Sequence, residues 1–261
     1  MRPRPRDLLA GLLATALSLP VLLAPAVAAG DTTGSPVGRS VLLALSSHHR
    51  LGDTDRKTGF YVPEAAHAWK VFRTAGYQVD LVSPRGGAAP QDGLKPNDPI
   101  QDEFLADPEM RRELRNTLRP EQVLSYRYRA VFYVGGHGTM WDFPDDRGLA
   151  RIAERFYLTG GVVSAVCHGP AGLVNLRLPS GRYLVAGRRV AAFTNSEERA
   201  QGLEKVVPFL LADRLTQRGA RQVAAPDRQA NTVVDGRLVT GQNPASATGT
   251  AQAVVRVLGG R

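Results

Sequence analysis

Cys167 and His168 stand side by side in the stretch Gly160 to Pro170, GGVVSAVCHGP, and Cys167 is the single cysteine of the 261-residue chain. A thiol beside an imidazole is a pairing for covalent catalysis, in which sulfur attacks an electrophilic carbon and the imidazole handles the proton. Gly160-Gly161 closes a helical pattern, and Val162–Val166 is a β-branched apolar run of the kind that makes a buried central strand. Pro170 suits the first turn of a helix. Strand, sharp turn and helix form a nucleophile elbow, which lifts a side chain above the sheet and aims backbone N–H groups at it. The positive end of the helix would favour thiolate, so the sequence predicts a thiol that ionises easily. A lone cysteine by itself reads as a small buried hydrophobe. Here the histidine and the elbow turn that reading toward a nucleophile.

Three further stretches carry chemistry. Glu64 opens the helical pattern that follows the first strand, where a carboxyl group either complements the helix dipole or reaches the cavity to share a proton with Cys167. Gly135-Gly136-His137-Gly138 follows a buried strand, and its glycines let backbone approach a ligand and offer N–H groups to an oxyanion. Gly136 and His137 are therefore the oxyanion or substrate-binding candidates. Asn195-Ser196-Glu197-Glu198 supplies acids that either start a solvated helix or hold the His168 ring as the third member of a Cys-His-acid triad. Three other histidines offer a weaker alternative. His48-His49, and Glu64 with His67 a helical turn away, make an incomplete metal set, so no metal is expected.

The elements that must position these residues alternate between strand and helix. Val41–Leu45 is wholly apolar, as in a sheet covered on both faces. Val62–Ala75 carries Val62, Ala65, Ala66, Trp69 and Phe72 on one stripe. Gln78–Ser83 reads as a strand, Pro84–Pro99 as an irregular loop, and Asp102–Leu118 as one helix with acids early and arginines late. Ala130–Val134 is a strand and Arg147–Leu158 a helix. Tyr183–Thr194 reads as two short strands around Gly187, and Val207–Arg218 as a helix. Arg221–Ala225, Thr232–Val234 and Leu238–Thr240 read as strands, with a hairpin turn at Asp235-Gly236. Asn243-Pro244 caps the last helix. The pattern predicts a single-domain three-layer α/β sandwich with a mainly parallel central sheet.

The first residues differ from the rest. A basic start (Arg2, Arg4, Arg6), an apolar stretch Leu8–Leu23 and the small-residue box Ala26-Val27-Ala28 read as a secretory signal peptide over residues 1–28. Residues 29–38 read as a linker and 39–261 as the domain. Uncleaved, the same stretch would anchor the chain in a membrane; cleaved, it leaves a secreted or cell-envelope protein without stable membrane contact. The net charge of +9 comes from scattered arginines with no interleaved aromatics, so nucleic acid is not an expected partner. A single cysteine excludes an internal disulfide.

The segments VLLALSSH, KTGFYVPEAAHAW, YQVDLVSPRGG, YVGGHGTMWDFP, GGVVSAVCHGPAGL, AAFTNSEE and VVDGRLVTGQNPASA follow one another between Val41 and Ala247. In combination and order they resemble the ThiJ/PfpI superfamily of flavodoxin-like, class I glutamine amidotransferase-like folds. The resemblance is greatest to the branch of stress proteins described as glyoxalase III and heat-shock chaperones. It implies Cys167 as nucleophile, His168 as its catalytic histidine, Glu64 as the carboxyl partner of the thiol, and Glu198, with Glu197 beside it, as triad acid. Gly136 and the backbone N–H of His168 are the implied oxyanion donors. No metal or organic cofactor is implied, and a homodimer is common. The implied reaction converts a small 2-oxoaldehyde, methylglyoxal, to D-lactate through a hemithioacetal on Cys167, without glutathione. The same groups would also serve a peptidase, amidase or deglycase, and a holding chaperone or redox sensor is the reading without catalysis.

Overall fold

Alternation along each strand sends neighbouring side chains to opposite faces of a sheet, and here both faces are covered. The computed structural model describes Met1 and residues 39–260. The elements run β1 (Ser40–Ala44), β2 (Phe60–Tyr61), α1 (Val62–Thr74), β3 (Gln78–Val82), β4 (Gln91–Asp92), α2 (Pro99–Ala106), α3 (Pro108–Arg115), β5 (Tyr128–Tyr133), α4 (Thr139–Asp142), α5 (Arg147–Leu158) and β6 (Val162–Val166). Then follow β7 (Arg189–Val190), α6 (Asn195–Ala200), α7 (Leu211–Gln217), β8 (Arg221–Gln222), β9 (Thr232–Asp235), β10 (Leu238–Gly241) and α8 (Ala247–Gly259). The leader and linker read over residues 1–38 lie, Met1 apart, outside the described residues. Among the described residues no helix is long and apolar enough to cross a membrane.

The main sheet has the order β3-β1-β5-β6-β10-β9, parallel throughout except for β9, which returns antiparallel beside β10. Val41 and Leu43 of β1 pack with Phe72 of α1, Phe104 of α2, Met110 of α3 and Val254 of α8. Leu42 and Ala44 face the other way, toward Ile152 and Phe156 of α5 and Leu211 and Leu215 of α7. Each large side chain sealed in these layers contributes roughly 1.5–3 kcal/mol of transfer free energy. β3 and β5 flank β1 on opposite sides, so the chain changes direction there. In such sheets the crevice at the carboxyl ends of the strands takes ligands. Gly135 and Cys167 lie just beyond the carboxyl ends of β5 and β6, at that edge.

Several elements differ from the sequence pattern. The stretch read as one helix from Asp102 to Leu118 is two, because Pro108 has no N–H to continue the first. Asp107 closes α2 with its N–H to the Glu103 carbonyl and caps α3 by accepting from the Glu109 and Met110 amides. Of the two short strands read around Gly187, only β7 after it forms, and it pairs parallel with β8. The helix read from Val207 starts only at Leu211, past Pro208. The loop Pro84–Pro99 contains β4, which pairs with β2. After the corner, Gly169–Leu173 forms only a 3-10 turn, and Pro244–Ser246 is likewise a 3-10 turn ahead of α8.

Candidate active site

The corner at Cys167 is strained in the way an elbow requires. Cys167 has φ +60°, a left-handed conformation unusual for a residue with a Cβ and worth about 1–3 kcal/mol of strain. Backbone bonds on both sides hold it there: the Cys167 N–H donates to the Gly241 carbonyl at 2.9 Å, and its own carbonyl accepts from Phe193 at 2.9 Å. The sulfur is thereby fixed above the end of β6, almost fully buried.

Glu64 comes to the sulfur from α1. Its side chain is wholly buried instead of pointing to solvent from the first turn. One oxygen, Oε2, accepts from the Gly135 N–H at 2.9 Å. The other, Oε1, has no nitrogen or oxygen partner, and the Cys167 thiol is the carboxyl's remaining neighbour of consequence. The loop after β5 is shaped around this contact. A Cβ on Gly135 would lie 2.6 Å from Glu64 Oε2 and 2.8 Å from Cys167 Cβ. Gly136, at φ +104°, passes so close to the chain before β2 that a Cβ would sit 2.4 Å from the Gly59 carbonyl oxygen.

On the imidazole side, His168 Nδ1 lies 3.4 Å from Cys167 Sγ, and its Nε2 is 2.7 Å from Glu198 Oε2. The turn after β6 thus brings the adjacent thiol and ring together, which an extended chain would not. Glu198 turns inward from the start of α6 and also receives His137, whose Nε2 is 2.9 Å from Oε1. The two imidazole rings are 4.1 Å apart and Phe193 packs on His168 at 4.3 Å. An ionised carboxylate only accepts, so each ring carries a hydrogen on Nε2, and in a neutral ring the lone pair is then on Nδ1. Glu197, next in sequence, points elsewhere. It binds the Arg228 N–H at 2.9 Å, Asn243 Nδ2 at 2.8 Å and the start of its own helix.

The electrostatics follow from burial. Desolvation drives the Cys167 thiol well above its ordinary value, and the Glu64 carboxyl adds to the rise, while the N–H groups of His168 and Gly136 pull it back. Desolvation also raises Glu64, to about 8, against the opposing pull of the thiol and the Gly135 N–H. Burial and the neighbouring His137 lower His168 to about 4, although Glu198 works in the other direction. Glu198 itself resists its own desolvation: bonds from both histidines hold it down at about 2. At neutral pH the thiol, the Glu64 carboxyl and the His168 ring are therefore all uncharged, and Glu198 carries the charge. The sequence reading of an easily ionised thiol is corrected here. The segment after Cys167 is a five-residue 3-10 turn with little dipole, and a buried acid shares the thiol's environment.

The sequence profile of the DJ-1/PfpI family matches residues 58–257. The chain belongs to the DJ-1/PfpI family. It is 36% identical over 227 residues to the Saccharomyces cerevisiae protein named glutathione-independent glyoxalase HSP31, covering 82% of this chain and 95% of that one. The crystal structure of glyoxalase III from Candida albicans superposes with a TM-score of 0.75 at 35% identity, over 84% of this chain and 96% of that one. The Rapid Encystment Protein 24 kDa of Francisella tularensis superposes with a TM-score of 0.82 at 35% identity, over 84% and 99% of the two chains.

In this DJ-1/PfpI chain a cavity of about 220 Å³ holds Gly136, His137, Cys167 and His168 in its wall, with Glu64 and Glu198 packed behind them. The metal alternative does not assemble: His67 bonds to Asp98 and Thr248, and His48 stacks on Trp141. The donors that do converge are His137, His168 and Glu198, within 4.8 Å of one another, with both carboxylate oxygens already taken by ring N–H groups. Sequence reading missed the rest of the wall. Tyr61, whose phenol burial raises to about 12, stands one turn before Glu64, and that spacing was the available signal. Arg56, Lys57 and Asp92 also line the cavity, as does Phe193; these positions come from tertiary packing and have no local signature.

Proposed function

We propose that this DJ-1/PfpI protein is a glutathione-independent glyoxalase that converts methylglyoxal and related 2-oxoaldehydes to 2-hydroxy acids, D-lactate in the case of methylglyoxal. The observation that carries the reading is the buried Glu64 carboxyl, held protonated beside a thiol whose other neighbour is the neutral His168 ring anchored on the ionised Glu198. A thiol that waits uncharged needs a base on one side and an acid on the other as it adds to an aldehyde. Sulfur attacks C1 while the thiol proton passes to His168 Nδ1, and Glu64 protonates the aldehyde oxygen, giving the hemithioacetal. The Glu64 carboxylate so formed then takes the proton from C1 and returns it to C2. In the enediolate between these steps, the hydroxyl proton moves from the C1 oxygen to the C2 oxygen through His168. The N–H groups of Gly136 and His168, already aimed at the sulfur, face the oxygen on which charge develops. The product at this stage is a lactoyl thioester on Cys167, and water releases lactate and the thiol. Names of the relatives support the same reading, since two of them are called glyoxalases.

The test is D-lactate formation from methylglyoxal without glutathione. Turnover lost in Cys167→Ala is expected; a folded wild type that makes no lactate would sink the reading, and amide and peptide substrates would be next. The proposal extends to place and assembly: the leader composition supports export to the cell envelope or beyond, and the family resemblance supports a homodimer. Sequencing the N-terminus of the mature protein and sedimentation of the purified one decide these two points.

A further inference from the structure

The proposed reaction ends in a hydrolysis that needs its own base, because water is a poor nucleophile toward a thioester unless a proton is removed from it. His168 is badly placed for this work. At the thioester stage it already holds the proton taken from the thiol, its Nδ1 lies 3.4 Å from the sulfur, and its side chain is 1% exposed. Glu64 is wholly buried and Tyr61 remains a phenol. Asp92 lines the cavity, but its Oδ2 accepts from Thr58 Oγ1 at 3.1 Å. His137 differs from all of these. Its Nε2–H is anchored on Glu198 Oε1 at 2.9 Å, and its side chain is 13% exposed in the cavity wall that also holds Cys167. Its Nδ1 accepts no hydrogen bond among the described residues, which leaves it free to take a proton.

We infer that His137, oriented by Glu198, is the general base that activates the hydrolytic water in the second half of the reaction. Glu198 thus serves two histidine–carboxylate dyads, one for the thiol and one for water. His137 Nδ1 takes a proton from water as the hydroxide oxygen bonds to C1 of the lactoyl thioester. The tetrahedral intermediate collapses by breaking the C1–S bond, and the thiolate takes back the proton that His168 accepted in the first step. The acid proton of the product returns to the Glu64 carboxylate as lactate leaves, and the His137 imidazolium gives its proton to solvent. No oxidant or further reactant is needed. The inference rests on the glyoxalase reading, and its test keeps the two apart.

The experiment is rapid quench of the purified protein with methylglyoxal, comparing wild type with His137→Gln, whose amide can still donate to Glu198. Hydroxylamine in the quench converts a lactoyl thioester to lactohydroxamate, which the isomeric hemithioacetal does not yield. The expected result is steady-state turnover lowered by about 10²-fold, with the thioester accumulating to near one per Cys167 and its formation rate little changed. Imidazole in the medium should restore hydrolysis to His137→Ala. Slow turnover without thioester accumulation, or turnover at the wild-type rate, would overturn the role of His137. A wild type that makes no lactate would instead overturn the glyoxalase reading. Should His137→Gln fail to fold, His137→Asn gives the same readout.

Discussion

Two glutamates sealed in the same protein, Glu64 and Glu197, show how differently a buried carboxyl can be used. Glu197 receives the Arg228 and Thr194 N–H groups, the Thr194 hydroxyl, and the side-chain amides of Gln242 and Asn243. Every one of these donors is a backbone or neutral side-chain group that holds its proton, so the carboxyl ties α6, the loop before β9 and the end of β10 together. Glu64 receives one backbone N–H and otherwise meets a thiol. A buried carboxylate starved of donors is disfavoured, so Glu64 keeps its proton and is ready to exchange it. Glu198 stands between these extremes, saturated like Glu197 but by two imidazoles, so its hydrogen bonds set tautomers. A carboxyl's function here is legible from what donates to it.

Substitutions that erase the difference test it, and the largest effect is expected where the proton is mobile. Glu64→Gln keeps the Gly135 contact and the shape but has no proton to give. Turnover of methylglyoxal should fall by about 10²–10⁴-fold, while Cys167 stays accessible to a small alkylating reagent. Glu198→Gln loses the paired acceptor that fixes both rings, and kcat should fall by about 10²–10³-fold with KM little altered. Near-wild-type turnover in either variant would mean that the proton is handled elsewhere. Glu197→Ala should act on stability, leaving several buried donors unpaired at a total of about 2–4 kcal/mol in urea denaturation. Its folded fraction should turn over with a kcat within a few-fold of wild type.

The same contrast also predicts a pH dependence of stability. The Glu64 carboxyl sits at about 8 in the folded protein, above its unfolded value. Its contribution is fully present below the unfolded pKa and is lost as pH rises through about 8. Glu64→Gln has no such loss, so its melting temperature relative to wild type should climb between about pH 5 and pH 9. A constant difference across that range would show that Glu64 is ionised in the fold.

Much of this arrangement was legible in the chain because it is local. The apolar run before Cys167 encodes a buried strand, the proline after it suits a first turn, and the glycines at 135 and 136 permit close backbone approach. Glu64 in a first turn and Glu197-Glu198 after a strand were visible as acids at strand ends. Which of the two adjacent glutamates would meet His168 was not, since that depends on how α6 emerges from the Thr194 cap. The charge of the thiol was also misjudged, because a dipole argument from a helix cannot foresee that the helix is one short 3-10 turn or that an acid from α1 shares its burial. The pairing of His137 with Glu198 joins residues 61 positions apart and has no signature in either segment. The break at Pro108 was written in the sequence but masked by a charge pattern that suits a longer helix.

The central claim is that a protonated Glu64 and a neutral His168 together ready Cys167 for the aldehyde. Measurement of kcat/KM for methylglyoxal against pH, without glutathione, in wild type and Glu64→Gln tests it most directly. With His168 neutral above about 4 and Glu64 protonated below about 8, the wild-type profile should be a bell between those limits. The alkaline limb should disappear from the residual activity of Glu64→Gln. A wild-type rate that keeps rising through pH 9, or an alkaline limb that survives in Glu64→Gln, would contradict the account.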